Sequence, residues 1–221
     1  MTSPKSNHLS RRLRAASAAC AVAAALVSSA HAQTITTNSW QGDVSTNWAD
    51  AGNWTNNFVA PTGGVYSVRL EVTNRSNNPL YYTEAQGFTH YSNGLAARAW
   101  LVGSGGASAG SGTLIVNGGT LSGEGNNQAD VIGNNNGNTG TVIVAGGTLR
   151  GNALDLGLGG GTARRSFLVI SNGLVDYNVV RMNSERAQID LIGGTFRLTS
   201  VTSVFGAGTF AQMFLNGGTI E

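Results

Sequence analysis

Across 221 residues the sequence holds one cysteine, three prolines and three histidines, and only 11% of it is charged. The cysteine, Cys20, falls inside an N-terminal leader, so the exported chain has no disulfide and no thiolate to offer a metal. His8 and His31 leave with the same leader, and His90 alone makes neither a zinc site nor a catalytic triad. No Gly-Lys-Ser/Thr follows any of the glycines, which excludes a phosphate-binding loop. Beyond the leader no apolar run approaches the ~20 residues that a membrane-spanning helix needs. Nor does any stretch of the exported chain carry a helical period.

The leader itself reads as a secretory signal over residues 1–32. Lys5, Arg11, Arg12 and Arg14 make a basic start, an uncharged alanine-rich stretch runs from Ala15 to Val27, and Ala30-His31-Ala32 supplies a small-x-small cleavage pattern. The expected mature start is Gln33. Removing the four basic residues of the leader leaves nine Lys and Arg against eleven Asp and Glu, a formal charge of −2. The basic character of the whole chain therefore belongs to the signal. Nothing in the remainder argues for nucleic acid or an anionic membrane as partner.

Glycine is what the sequence has in abundance, 32 residues of it, alternating with short runs of Val, Leu and Ile. That is the punctuation of many short strands and tight turns. Asn117-Gly118-Gly119-Thr120-Leu121 recurs as Ala145 to Leu149, Ser171 to Val175, Ile192 to Phe196 and Asn216 to Ile220, at spacings of 21 to 28 residues. Such a spacing is one coil of a strand solenoid. Aligned on these turns, Val116, Val144, Ile170, Leu191 and Leu215 form an apolar column, as do Leu114, Val142, Leu168, Ile189 and Met213. The column between them, Ile115, Ile143, Val169, Asp190 and Phe214, admits a charge and should face outward.

Leu121, Leu149, Val175, Phe196 and Ile220 make a third inward column, and Val102, Ile132, Leu156, Val180 and Phe205 a fourth. The expected fold is all-β: a single-stranded parallel β-helix of three short strands per coil, about five recognisable coils plus an N-terminal cap. Its right-handed path is inherited from the general rule for parallel crossovers. Residues 33–95, rich in tryptophan, read as the cap and first irregular coils, and 96–221 as the repeats. Ile220, an interior residue by this alignment, is followed only by Glu221. Either the natural chain continues or this end packs on another subunit, and the first is our reading.

Gly112 to Leu121 and Gly140 to Leu149 resemble the strand repeats associated with autotransporter passengers and with PEP-CTERM-sorted bacterial surface proteins. Trp40-x-Gly42-Asp43, Asn47-Trp48 and Asn53-Trp54 resemble the tryptophan-rich start of such chains. The resemblance covers most of residues 40 to 220. It implies export, a β-helix of the pectin-lyase-like kind and a cell-surface or extracellular role, usually without assigned catalysis. The residues at hand include neither a translocation barrel nor a sorting tail.

Carbohydrate-cleaving β-helices need carboxylates gathered on one face. The candidates are Asp130, Asp155, Asp176, Glu185 and Asp190, and the strand parity of Asp130 and Asp155 does not bring them together. No catalytic, cofactor or metal residue is assigned. Trp40, Trp48 and Trp54, with Tyr66, Tyr81, Tyr82 and Tyr91, offer either a sugar-stacking platform or a plug for the solenoid end. Arg164, Arg165, Arg181 and Arg186 form either a small basic patch or ordinary solvated loop residues. The expectation is a non-catalytic secreted or cell-surface module whose partner is an extracellular polysaccharide or a surface protein. The alternatives are a carbohydrate-binding or polysaccharide-cleaving β-helix and a building block that associates end to end.

Overall fold

The computed structural model describes residues 36–73, 78–91, 98–103, 110–123, 129–134, 138–158, 165–184, 186–200 and 210–221. The expected leader over residues 1–32, loop tracts 135–137 and 159–162, and Arg164, Glu185 and Phe205 lie outside them. Among the described residues every ladder between strands is parallel, and the only helical pieces are three single turns of 3-10 helix. The protein is a parallel β-helix.

Strands β1 (Thr36–Trp40), β2 (Val65–Tyr66) and β3 (Val68–Val72) precede the first complete coil, which is β4 (Leu80–Tyr82), β5 (Phe88–Tyr91) and β6 (Trp100–Val102). The next is β7 (Gly112–Val116), β8 (Thr120–Gly123) and β9 (Asp130–Asn134). In β10 (Thr139–Val144) and β11 (Thr148–Leu158) the second and third strands fuse into one, and the same holds for β12 (Arg165–Ile170) and β13 (Leu174–Met182). Coils β14 (Ala187–Leu191) with β15 (Thr195–Leu198), and β16 (Gln212–Leu215) with β17 (Thr219–Ile220), complete the stack. First strands line up as one sheet in the order β16-β14-β12-β10-β7-β4, and the rest form a larger sheet opposite.

The registers place Leu114, Val142, Leu168, Ile189 and Met213 over one another, and Val116, Val144, Ile170, Leu191 and Leu215 likewise. Four members of each column are buried. The exceptions are in the last described coil, where Met213 is half-buried and Leu215 60% exposed; Ile220, in the third column of the same coil, is 49% exposed. Each layer thus shields its neighbour, at roughly 1.5–3 kcal/mol for every Val, Leu or Ile fully taken out of water. The backbone is satisfied by the same stacking.

At the corner between first and second strands the carbonyl of each glycine accepts from a backbone amide of the next coil: Gly87 from Thr120, Gly119 from Thr148, Gly147 from Leu174, Gly173 from Thr195 and Gly194 from Thr219, at 2.8–3.0 Å. Gly119 has φ +60°, and a Cβ there would lie 2.5 Å from the Gly87 carbonyl oxygen. Gly147 reaches the same exclusion without a positive φ, since its Cβ would lie 2.4 Å from the Gly118 oxygen. A positive φ and close backbone approach both exclude a side chain at Gly119, and close approach alone does so at Gly147.

Two details differ from the sequence reading. Leu156 pairs with Met182, whereas Val180 pairs with Leu154, so the fourth column continues through Met182. The glycine that follows Val102, Ile132 and Leu156 is absent after Val180, and the alignment slipped by two residues there. A slip of two preserves the face, and both side chains are buried. The second difference is the coil β4–β6, which stacks in register on β7–β9 although no Gly-Gly marks it. Its corner is a 3-10 turn over Glu84–Gln86, closed by a capping box between Thr83 and Gln86. Thr89 takes the interior place of Leu121, its hydroxyl donating to the Gln86 carbonyl and accepting from the Gly63 amide.

Candidate functional site

The three N-terminal tryptophans are interior residues. Trp40, Trp48 and Trp54 are 0%, 5% and 2% exposed, so they present no face on which a sugar could stack. Trp54 lies edge-on between Trp40 and Trp48, with ring centroids 5.2 and 5.1 Å away, and Trp48 packs edge-on against Tyr82 at 5.7 Å. Each indole N–H donates to a backbone carbonyl: Trp40 to Asn78, Trp48 to Ala60 and Trp54 to Trp48. Since β4 ends its sheet and Tyr82 belongs to the column of Val116, Trp48 takes the place of one more layer. These rings close the described end of the stack.

The polar residues of the same motif hold the plug in shape. Asn53 is fully buried; its Oδ1 accepts from the Val44 and Ser45 amides at 2.8 Å, and its Nδ2 donates to Ser45 Oγ and the Asn47 carbonyl. Gly42, at φ +67°, passes so close to Asn78 that a Cβ would lie 2.6 Å from its carbonyl oxygen. Tyr91 is buried with its hydroxyl on the Pro61 carbonyl, whereas Tyr81 is 37% exposed.

The carboxylates do not converge. Asp130 points inward, in register with Leu154, while Asp155 pairs with Val131 on the opposite face of the sheet. Asp155 accepts from Arg181 Nε at 2.6 Å, and Asp176 accepts from Arg197 at 3.3 Å. Asp190 receives the Gln188 amide on both oxygens at 2.9 Å. Among the described residues no group of three His, Cys, Asp or Glu side chains could hold a metal ion.

Asp130 is the surprise. It is a carboxyl group in the core, accepting from the Trp100 amide and the Tyr177 hydroxyl at 3.3 and 3.2 Å. Tyr91, Gly123, Gly151 and Tyr177 are successive members of one inward column, and the two glycines between the aromatic rings leave the room it fills. A Cβ on Gly123 would meet Asp130 Oδ2 at 2.2 Å. Loss of hydration outweighs these hydrogen bonds and pushes the carboxyl up to about 8. It is a structural acid, sealed from any substrate.

Charged side chains also stand on the outer faces of the second strands and of the first-strand sheet. Along the second strands, His90, Ser122, Arg150, Asp176 and Arg197 stack in register. Glu221 extends this ladder by accepting from Arg197 Nε at 3.0 Å. Signs alternate from Arg150 onward, so each charge meets its opposite one coil away.

The other surface is a cleft of about 320 Å³ on the first-strand sheet, lined by Arg165, Phe167, Arg186, Ala187, Gln188, Phe210 and Gln212. Phe167, Gln188 and Gln212 are stacked partners, and Arg165 and Arg186 immediately precede the paired Ser166 and Ala187. The sequence suggested grouping Arg165 and Arg186 with Arg181, but Arg181 lies on the opposite sheet, on Asp155. The flanking aromatics and amides were not expected. No family model matches this chain, and neither a curated protein nor a solved structure matches it.

Proposed function

We propose that the chain is an exported, non-catalytic module of the extracellular space or cell surface, a stiff stack of coils that presents its outer face and loops to partners. One observation supports it above the others: Asp130, Asp155, Asp176 and Asp190 are each engaged separately, by Tyr177, Arg181, Arg197 and Gln188. A hydrolase or lyase acting on polysaccharide needs two such groups free to flank one bond. The resemblance to autotransporter-associated and PEP-CTERM-associated repeats points the same way, as do the leader over residues 1–32 and the expected start at Gln33. A second reading, a carbohydrate-binding β-helix, is favoured by the arginine and phenylalanine cleft.

The test is to express the gene product, sequence its N-terminus from the exported fraction, and incubate it with a panel of polysaccharides while measuring released reducing ends. The reading expects Gln33 at the N-terminus and no release above a buffer blank. Turnover abolished by Asp155→Asn or Asp176→Asn would contradict it.

A further inference from the structure

Elsewhere on this solenoid, charged side chains that stack from coil to coil alternate in sign, as Arg150, Asp176 and Arg197 do. Arg165 and Arg186 break that pattern. They stand on adjacent coils, joined at the backbone by the Ser166 amide donating to the Arg186 carbonyl at 3.3 Å, and both side chains are exposed. Neither has a carboxylate partner among the described residues. Like charges opposite one another across a ladder are destabilising, and an anion bound between them removes that cost. Beside them lie the half-buried Phe167 ring and the 63% exposed Phe210 ring, with the Gln188 and Gln212 side chains in the same wall.

We infer that this cleft binds a carboxylate-bearing sugar, with the Arg165 and Arg186 guanidiniums on the carboxylate and the two phenylalanine rings against the apolar face of the pyranose. Planar guanidiniums match a carboxylate in two-point geometry. The Gln212 amide both donates and accepts and the Gln188 amide oxygen accepts, its Nε2 being held by Asp190, which suits ring hydroxyls better than a bare anion requires. A volume of about 320 Å³ lies at the small end of ligand pockets and suits one or two sugar rings rather than a folded partner. Asp190 does not line the cleft, and its carboxylate is turned to Gln188 Nε2. The inference rests on the binding-module reading and gives that module a ligand class.

The experiment titrates the purified chain with a linear hexasaccharide containing glucuronate, with the same hexasaccharide after its carboxyls are reduced to alcohols, and with a glutamate hexapeptide. The acidic sugar should bind, and both controls should bind at least about ten-fold more weakly. Arg165→Gln with Arg186→Gln should abolish the preference for the acidic sugar. Phe210→Ala should weaken binding several-fold, with the thermal transition unchanged because its ring is exposed. Equal affinity for the reduced sugar or for the peptide, or an undiminished affinity in the double arginine variant, overturns the site. Reducing ends released from the bound hexasaccharide would overturn the non-catalytic reading while supporting the site. Absence of binding overturns the site and leaves that reading standing.

Discussion

Val144 and Ile143 are neighbours on one strand, yet they belong to columns with different tolerances. Stacked with Val144 are Val116, Ile170 and Leu191, all sealed from water, and Leu215 at the exposed end. Stacked with Ile143 are Ile115, Val169, Asp190 and Phe214, and that column is only partly buried along its length. What separates them is a half-turn of the strand, nothing more. The interior column accepts only apolar residues because each must cover the one below. The outer face is free to vary, and recognition residues such as Phe167, Gln188 and Gln212 stand in its neighbouring column, in register with Thr113 and Thr141.

Charge introduced at these two neighbours is the sharpest way to break the comparison. Val144→Asp should cost about 4 kcal/mol or more, because an unpaired carboxylate enters the core, and denaturant titration should show the fold lost or barely held. Ile143→Asp should cost about 1 kcal/mol or less by the same titration.

Asp130 sharpens the comparison from inside, since it is a carboxyl that the interior does accept. Its ordinary unfolded value is about 4, and burial raises it to about 8 in the folded chain. Between those values the folded state holds a proton that the unfolded state has lost. Stability should therefore be greatest below about pH 4, fall as pH rises toward 8, and level off beyond. Asp130→Asn mimics the protonated group, so melting temperature against pH should lose this component of its slope. An unchanged slope would mean that Asp130 is not sealed in.

The corner glycines give a smaller contrast. Gly119→Ala should cost about 2 kcal/mol, from both the positive φ and the contact with Gly87. Gly146→Ala meets nothing closer than the Asn117 side chain at 3.2 Å and should be close to neutral in thermal melts. The least effect belongs to the exposed ladder. Arg197→Ala removes ion pairs to Asp176 and Glu221 and should leave the thermal melt nearly unchanged, with added salt shrinking any difference.

The inward columns were legible because the Gly-Gly corners index the strands and parity does the rest. Where the index was missing, legibility failed in proportion. The coil beginning at Leu80 turns on a capped Thr83–Gln86 segment and carries Thr89 in a core position, so neither signal announced it. The fourth column slipped at Val180 for the same reason. The setting of Asp130 was beyond the sequence, because the room for it is made by Gly123 and Gly151 on other strands. The cleft was legible in part: Arg165 and Arg186, one coil apart, can be grouped from the sequence, but the Phe167, Gln188 and Gln212 wall beside them depends on the pairing of strands. The tryptophans were recognisable as a cluster, but a flat ring serves a plug and a platform equally well. Burial, which decides between them, depends on Tyr82 in another coil.

Cross-linking reads the stacking itself. Cys20 is the only cysteine, so with Cys20→Ser the chain offers a silent background for pairs placed on the outer column. Adjacent coils lie ~4.8 Å apart, inside the Cα range that a disulfide spans, and coils two apart lie well outside it. Under mild oxidation Ile115→Cys with Ile143→Cys should close a disulfide nearly completely, and Ile115→Cys with Val169→Cys should not. Equal cross-linking of the two pairs, or none in the adjacent pair, would contradict a chain whose equivalent residues lie one above another.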